Sequence, residues 1–198
     1  MSTRPHPDQP AESRSVLSPS MVYAVATTLL IAEAEARRSF ADTPVLYAVF
    51  CHTLDGPSHL IDLHPTPLPP TAWQVPSLPP HVVLARLADR FRQPDPDFRA
   101  VLTEWLSLGG RRCIGFALLS DEELDGPLNP RARNGAASAV GGMPQMLTAV
   151  DADGRLYQIS RRPGAPTADM HVIDRPPADR RDAVVAALTG LLQAARRL

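Results

Sequence analysis

Lysine is absent from this sequence: all 20 basic residues among its 198 are arginine. This absence excludes Schiff-base chemistry, a lysine general base, and phosphate binding through the lysine of a P-loop. With 21 acidic residues the formal net charge is -1, which leaves no global attraction for a nucleic-acid backbone. Aromatic residues make up only 5%, so platforms for base stacking are scarce. We therefore expect no nucleic-acid partner.

Cysteine and long apolar runs are scarce as well. Cys51 and Cys113 both lie in predicted strands, so two reduced, buried thiols are expected; one buried cross-strand bridge is the alternative. No run approaches the roughly 20 apolar residues that span a bilayer. Residues 1–20 contain no apolar core of a secretion signal. We therefore expect a cytoplasmic protein without a membrane partner.

Composition divides the chain into an arm and a domain. Residues 1–17 are rich in Pro, Ser, Arg and acidic residues and are predicted to be a disordered arm, whereas residues 18–198 are predicted to form one α+β domain. Within that domain, residues 65–80 form a proline-rich belt, and residues 121–144 are predicted to be a flexible loop. Trp73 is expected to pin the belt onto the core; docking of the belt onto a partner is the alternative.

Four helices are predicted from apolar residues at helical spacing and from capping residues. The expected bounds are Pro19 to Arg38, Pro80 to Arg92, a helix that begins at Pro96 and ends at Gly109-Gly110, and a terminal helix that opens at Pro176-Pro177. Asp95 is the expected N-cap of the third helix. The stripe of Trp105 and its helical neighbours is expected to be core.

Strand-like runs predict a sheet of about five strands. Two hairpins carry the strongest turn signals, Asp55-Gly56 within TPVLYAVFCHTLDGPSHLIDLH and DADG between QMLTAV and RLYQISRR. The nearly continuous apolar run RRCIGFALLS predicts a central strand, and ADMHVID adds a further strand. Strands that do not alternate with crossover helices favour an α+β fold, with a single mostly antiparallel sheet and helices packed on its faces.

In the order of its elements, the chain over residues 19–198 resembles profilin-like sheets of the roadblock, longin or GAF/PAS kind. For the GAF/PAS-like folds, the resemblance implies a pocket for a small molecule between sheet and helices. The hairpin AVDADGRLYQISRR is also similar to that of short accessory proteins of GC-rich bacteria, and the richness in Arg, Ala and Pro fits such a genome. No site residue is carried over from either resemblance.

The stretch FCHTLDGPSHLIDLHP, residues 50–65, concentrates one cysteine, three histidines and two aspartates. If the turn at Asp55-Gly56 belongs to a loop of even length, strand parity places Cys51, Asp62 and His64 on one face of the hairpin. These are the residue types of a nucleophile, an orienting carboxylate and a base. A strand, however, offers Cys51 no helix N-terminus to activate the thiol or to stabilise an oxyanion, so no catalytic residue is predicted.

The same parity places His52 and His59 opposite each other near the tip of the hairpin. They would supply two metal ligands, but tetrahedral zinc needs three or four, and Cys51 points to the other face. We therefore expect no metal and no cofactor. The two histidines are expected to cap the exposed end of the hairpin, and Cys51 is expected to belong to the core.

Arginines form the remaining candidate site. Arg155, Arg161 and Arg162 are candidates for binding a partner or an anionic ligand, together with Arg111 and Arg112 if their strands are neighbours. The preferred alternative is that these charges are solvated at a sheet edge, where they discourage aggregation between strands.

Three functions follow from these observations. The first is a non-enzymatic protein-interaction or regulatory accessory module, which self-associates as a homodimer through a strand edge or the terminal helix. The second is a small-molecule-sensing domain. The third is a cysteine-dependent hydrolase or transferase that uses Cys51 and His64.

Overall fold

The computed structural model describes residues 15–38, 44–53, 59–67, 78–120, 145–162, 165–177 and 182–198. Its elements along the chain are α1 (Pro19–Arg38), β1 (Val45–Thr53), β2 (His59–Pro65), α2 (Pro80–Arg92), α3 (Pro96–Ser107), a 3-10 turn (Leu108–Gly110), β3 (Arg112–Ser120), β4 (Gln145–Asp151), β5 (Leu156–Arg161), β6 (Asp169–Ile173) and α4 (Ala183–Ala195). Three predicted features, Trp73, most of the proline-rich belt and the loop 121–144, lie outside the described residues.

The six strands form one antiparallel sheet in the order β2-β1-β3-β4-β5-β6. The predicted α+β class and the single antiparallel sheet are confirmed, with six strands where about five were expected. The run RRCIGFALLS forms β3, which lies between β1 and β4 and is buried along most of its length. The edges of the sheet are β2 and β6.

Helices cover both faces of the sheet, because successive side chains of a strand point to opposite sides. Leu46, Ala48 and Phe50 of β1 join the core that α2, α3 and α4 complete, and we call this side the three-helix face. Val49 and Cys51 join the core that α1 completes on the other side, the α1 face. Each strand of the sheet interior therefore contributes to two separate cores.

Helix ends follow the local sequence signals, with one exception. Asp95 caps α3 as predicted, because its carboxylate accepts a hydrogen bond from the N–H of Phe98 at 2.8 Å. Gly109 and Gly110 both adopt positive φ, 68° and 69°, and reverse the chain after α3. The predicted start of the last helix at Pro176-Pro177 is wrong. It begins at Ala183, because Asp182 accepts from a backbone N–H in its first turn and is the N-cap.

The segment before α1 is bound to the β4–β5 turn. Asp153 in that turn accepts hydrogen bonds from the Ser15 hydroxyl at 2.6 Å and from the N–H groups of Val16 and Leu17 at 2.6 and 2.9 Å. The Leu17 side chain is buried in the core of the α1 face. Residues 15–17, which composition assigns to the disordered arm, are therefore anchored to the sheet.

Within the described part of the chain, none of the helices combines the length and the apolar character that crossing a bilayer requires.

Candidate functional site: an arginine-lined cleft

The register of the β1–β2 hairpin reverses the predicted grouping of its polar residues. Thr53 lies opposite His59 and Cys51 lies opposite Ile61, so residues 54–58 between the paired strands are odd in number. Directly opposed residues share a face of the sheet, and a loop of odd length therefore exchanges the two faces relative to an even one. The predicted cluster of Cys51 with Asp62 and His64 is wrong, because Cys51 lies on the opposite face.

The predicted pairing of His52 with His59 is wrong for the same reason. His52 lies opposite Leu60, whereas His59 shares the α1 face with Cys51, and its Nδ1 is 3.8 Å from the Cys51 Sγ. Burial raises the pKa of the Cys51 thiol, although the nearby Arg112 lowers it. A buried thiol held in its protonated form is a poor nucleophile, so the Cys51–His59 pair does not favour thiol catalysis.

On the three-helix face, Asp62 lies between two histidines. Its Oδ2 is 2.6 Å from Nε2 of His64 and 4.0 Å from Nε2 of His52. His64 also contacts the buried ring of Phe50 edge-on. Over the described residues, no group of three His, Cys, Asp or Glu side chains is arranged to hold a metal ion. The hairpin therefore brings together a hydrogen-bonded pair and a neighbouring histidine.

The arginines predicted to form one patch are separated, and two of them are neutralised. Arg155 donates to Asp153 and Asp174, both at 2.7 Å, and Arg161 forms an ion pair with the buried Glu33. Their hydrogen bonds also make the alternative of solvated edge charges wrong for these two residues. Arg162 is exposed. Strand β3, which Arg111 precedes and Arg112 begins, is not a neighbour of β5.

A cleft of about 460 Å³ opens where α3, α4 and the start of β3 meet, and we call it the arginine cleft. Arg111, Arg112 and Arg196 all contribute to its lining, and none of the described residues that line it has an acidic side chain. Because Arg112 lies opposite Cys51, its side chain belongs to the α1 face. The cations of the cleft are therefore Arg111 and Arg196.

Arg111 is placed by the turn that follows α3. The two positive-φ glycines reverse the chain, and the Arg111 guanidinium then donates to the carbonyl of Trp105 at 2.7 Å. Its central carbon also lies 3.9 Å from the centre of the Phe50 ring, a cation–π contact. The side chain thus caps the carboxyl end of α3, where the carbonyl groups carry a partial negative charge.

Arg111 is buried and has no counter-ion among the described residues. It is only 7% exposed, and none of those residues is a hydrogen-bond partner of its Nε. Among the described residues it belongs to no ion pair. The carbonyls at the helix end and the aromatic ring offset only part of the charge, since a helix terminus is equivalent to about half an elementary charge. An anion that entered the cleft would stabilise a buried cation in this state.

Arg196 supplies the second cation and lies just beyond the last residue of α4. Its guanidinium reaches the carbonyl of Ala152 at 3.4 Å, and its charge acts on the thiol of Cys113. Burial raises the pKa of that thiol to about 12, even though Arg196 and Arg111 both lower it. Cys113 therefore lines the cleft as a neutral thiol and is not a nucleophile.

The rest of the cleft is largely apolar. Leu106 of α3 and Leu198 beyond α4 are partly buried side chains that pack on the core, and Ala195 completes this wall. Thr103 and Ser107 add polar atoms on the α3 side. The lining of the cleft therefore combines two cations with hydrocarbon.

Local sequence signals identify part of this site only. The dipeptide Gly109-Gly110 followed by Arg111 indicates a chain reversal that returns a cation to the end of α3. The contribution of Arg196 depends on the packing of α4, which no local pattern encodes.

Comparison of the chain with protein-family models, with curated proteins and with solved structures gives no match. The resemblance to profilin-like sheets therefore stays a prediction, and the function is argued from the site.

Proposed function

We propose that this protein is a non-enzymatic regulatory module that binds a small anion in the arginine cleft. The observation that carries the proposal is the burial of Arg111. Its side chain is only 7% exposed, and it has no ion-pair partner among the described residues. Arg196 adds a second cation, and the volume of about 460 Å³ falls within the range of small-molecule sites.

Chemistry at the cleft does not favour catalysis. The only thiol in its lining, Cys113, has a pKa raised to about 12, and none of the described lining residues has a carboxylate or imidazole side chain. A general base or an activated nucleophile would need one of these groups. The arrangement therefore supports binding over turnover.

Titration calorimetry with sodium acetate, butyrate and phosphate tests this proposal. We expect at least one of these anions to bind the wild-type protein, and Arg196→Ala to weaken its affinity about tenfold, because a charged hydrogen bond is lost. Arg197→Ala is the matched control, since Arg197 is the exposed next residue and does not line the cleft. Arg111→Met should weaken binding further.

The proposal fails if none of the three anions binds at millimolar concentration. It also fails if Arg196→Ala and Arg197→Ala reduce the affinity equally, because the effect would then come from net charge alone. Because the comparison of Arg196→Ala with Arg197→Ala does not involve Arg111, the test stays valid even if Arg111→Met unfolds the protein.

A second candidate function, self-association, is supported by edge strand β6. Met170 and Val172 are 38% and 41% exposed at this edge, and they continue the α1 face beyond Tyr157 and Ile159 of β5. An edge strand with exposed apolar side chains can pair with a second copy. The terminal helix, the other expected interface, buries its apolar residues against α2 and the sheet instead.

Sedimentation equilibrium tests the second candidate. We expect a dimer at micromolar to millimolar concentration, and a monomer for Val172→Lys, because a charge at the edge opposes strand pairing. Leu60→Lys, at the exposed edge strand β2, is the control and should leave the dimer intact. A monomeric wild-type protein, or a dimer that Val172→Lys does not disturb, would rule out this interface.

A further inference from the structure

The charged side chains of the arginine cleft restrict the kind of group that it binds. Arg111 donates to a carbonyl in the last turn of α3, and Arg196 is the C-cap residue of α4. Each helix end contributes the equivalent of about half a negative charge. The charges of the two guanidinium groups outweigh those of the two helix ends, so these side chains favour an anionic group over a neutral one.

The apolar wall supplies the second restriction. Leu106, Ala195 and Leu198 line the cleft together with the two arginines. Leu106 and Leu198 are only partly buried, so their exposed surface would be removed from water by an apolar ligand. A compact inorganic anion would leave that surface in contact with water. The lining thus matches a ligand with both an acid group and a hydrocarbon part.

Resting on the proposed function, we infer that the ligand is an amphipathic monocarboxylic acid. Its carboxylate lies at Arg111 and Arg196, and its hydrocarbon chain or ring covers Leu106, Ala195 and Leu198. The cleft volume of about 460 Å³ accommodates a molecule of this kind. Binding requires no cofactor and no covalent step.

A calorimetric series with acetate, hexanoate, hexanol and inorganic phosphate tests the ligand class. Hexanoate should bind the wild-type protein at least tenfold more tightly than acetate, because burying even two of its four additional methylene groups gives roughly that gain. Hexanol, which keeps the chain and lacks the charge, should bind at least tenfold more weakly than hexanoate. Phosphate should bind more weakly than hexanoate.

Variants of the apolar wall test where the hydrocarbon chain of the ligand binds. Leu198→Asn and Leu106→Ala should each reduce the affinity for hexanoate about fivefold, because apolar contact worth roughly one methylene group is lost, and leave the affinity for acetate unchanged. Val101→Asn is the matched control, since Val101 is an exposed residue of α3 outside the cleft. Two variants are used so that the result does not depend on the folding of either one.

The outcomes separate the ligand class from the proposed function. If phosphate or acetate binds and hexanoate binds no more tightly than acetate, the amphipathic class is overturned and the anion-binding function stands. If hexanol binds as tightly as hexanoate, or neither wall variant weakens hexanoate, the inference is also overturned. If none of the four ligands binds, both the ligand class and the proposed function fail.

Discussion

Replacing Arg161 with methionine is expected to lower the free energy of unfolding by about 3–5 kcal/mol. Arg161 of β5 donates two hydrogen bonds to the carboxylate of Glu33 on α1, at 2.8 and 2.6 Å, and Glu33 is 0% exposed. Without its partner, the Glu33 charge would remain buried and uncompensated. The bidentate pair is therefore expected to fix α1 on the sheet.

Chemical unfolding in urea measures this effect. Arg162→Ala is the matched control, because Arg162 is the exposed next residue, and its free energy of unfolding should stay within about 0.5 kcal/mol of wild type. The double variant Glu33→Met with Arg161→Met should recover most of the loss, since both charges are then removed together. A loss below about 1 kcal/mol for Arg161→Met alone would contradict a buried pair.

Replacing Asp153 with asparagine is expected to cost about 2 kcal/mol of stability at neutral pH and to make acid unfolding less steep. Burial by itself would raise the pKa of Asp153. Hydrogen bonds from Ser15, from the backbone of Val16 and Leu17, and from Arg155 outweigh burial and lower this pKa from 3.8 to about 2. Because the folded state holds the charged form, its stabilisation is complete above about pH 5 and is lost as the pH falls towards about 2.

Urea unfolding of both proteins between pH 2 and pH 7 checks this pH dependence. The difference between wild type and Asp153→Asn should be about 2 kcal/mol at pH 7 and should approach zero near pH 2. Asp174→Asn is the control: Asp174 also accepts a hydrogen bond from Arg155, but its side chain is 82% exposed, so the expected change is small. A difference that does not vary with pH would contradict the role of the Asp153 charge.

Features that depend on neighbouring residues could be predicted from the sequence. The bounds of α1 and α2, and the Asp95 cap of α3, follow from apolar spacing and from side chains that cap their own helix. The β4–β5 hairpin follows from its turn residues, and Gly154 in that turn has a positive φ of 76°. In each case the interaction that decides the structure is local in the chain.

The grouping of the hairpin residues could not be predicted, because it depends on the number of residues in one loop. A change from an even to an odd loop moves Cys51 away from His64 and brings it to His59. The turn dipeptide Asp55-Gly56 indicates where the chain reverses but does not determine which residues form the last pair. A shift of one residue in the pairing of β1 with β2 thus decides which polar side chains of the hairpin lie together.

Contacts between residues far apart in the chain could not be predicted from the sequence either. Glu33 and Arg161 are 128 residues apart, and only the packing of α1 over the sheet brings them together. Arg111 and Arg196 meet at one cleft because α3 and α4 end near the start of β3. Such pairs depend on tertiary structure. The arginine cleft therefore could not be predicted without the positions of α3 and α4.

The most direct test of the arginine cleft is the anomalous diffraction of crystals grown with 4-bromobenzoate, a monocarboxylate whose bromine marks its position. The account predicts a bromine peak inside the cleft, with the carboxylate within hydrogen-bond distance of Arg111 or Arg196. Crystals of Arg196→Ala grown under the same conditions should show a weaker peak there. Bromine found only at other sites, or no bromine in the cleft of the wild-type protein, would contradict the proposed binding site.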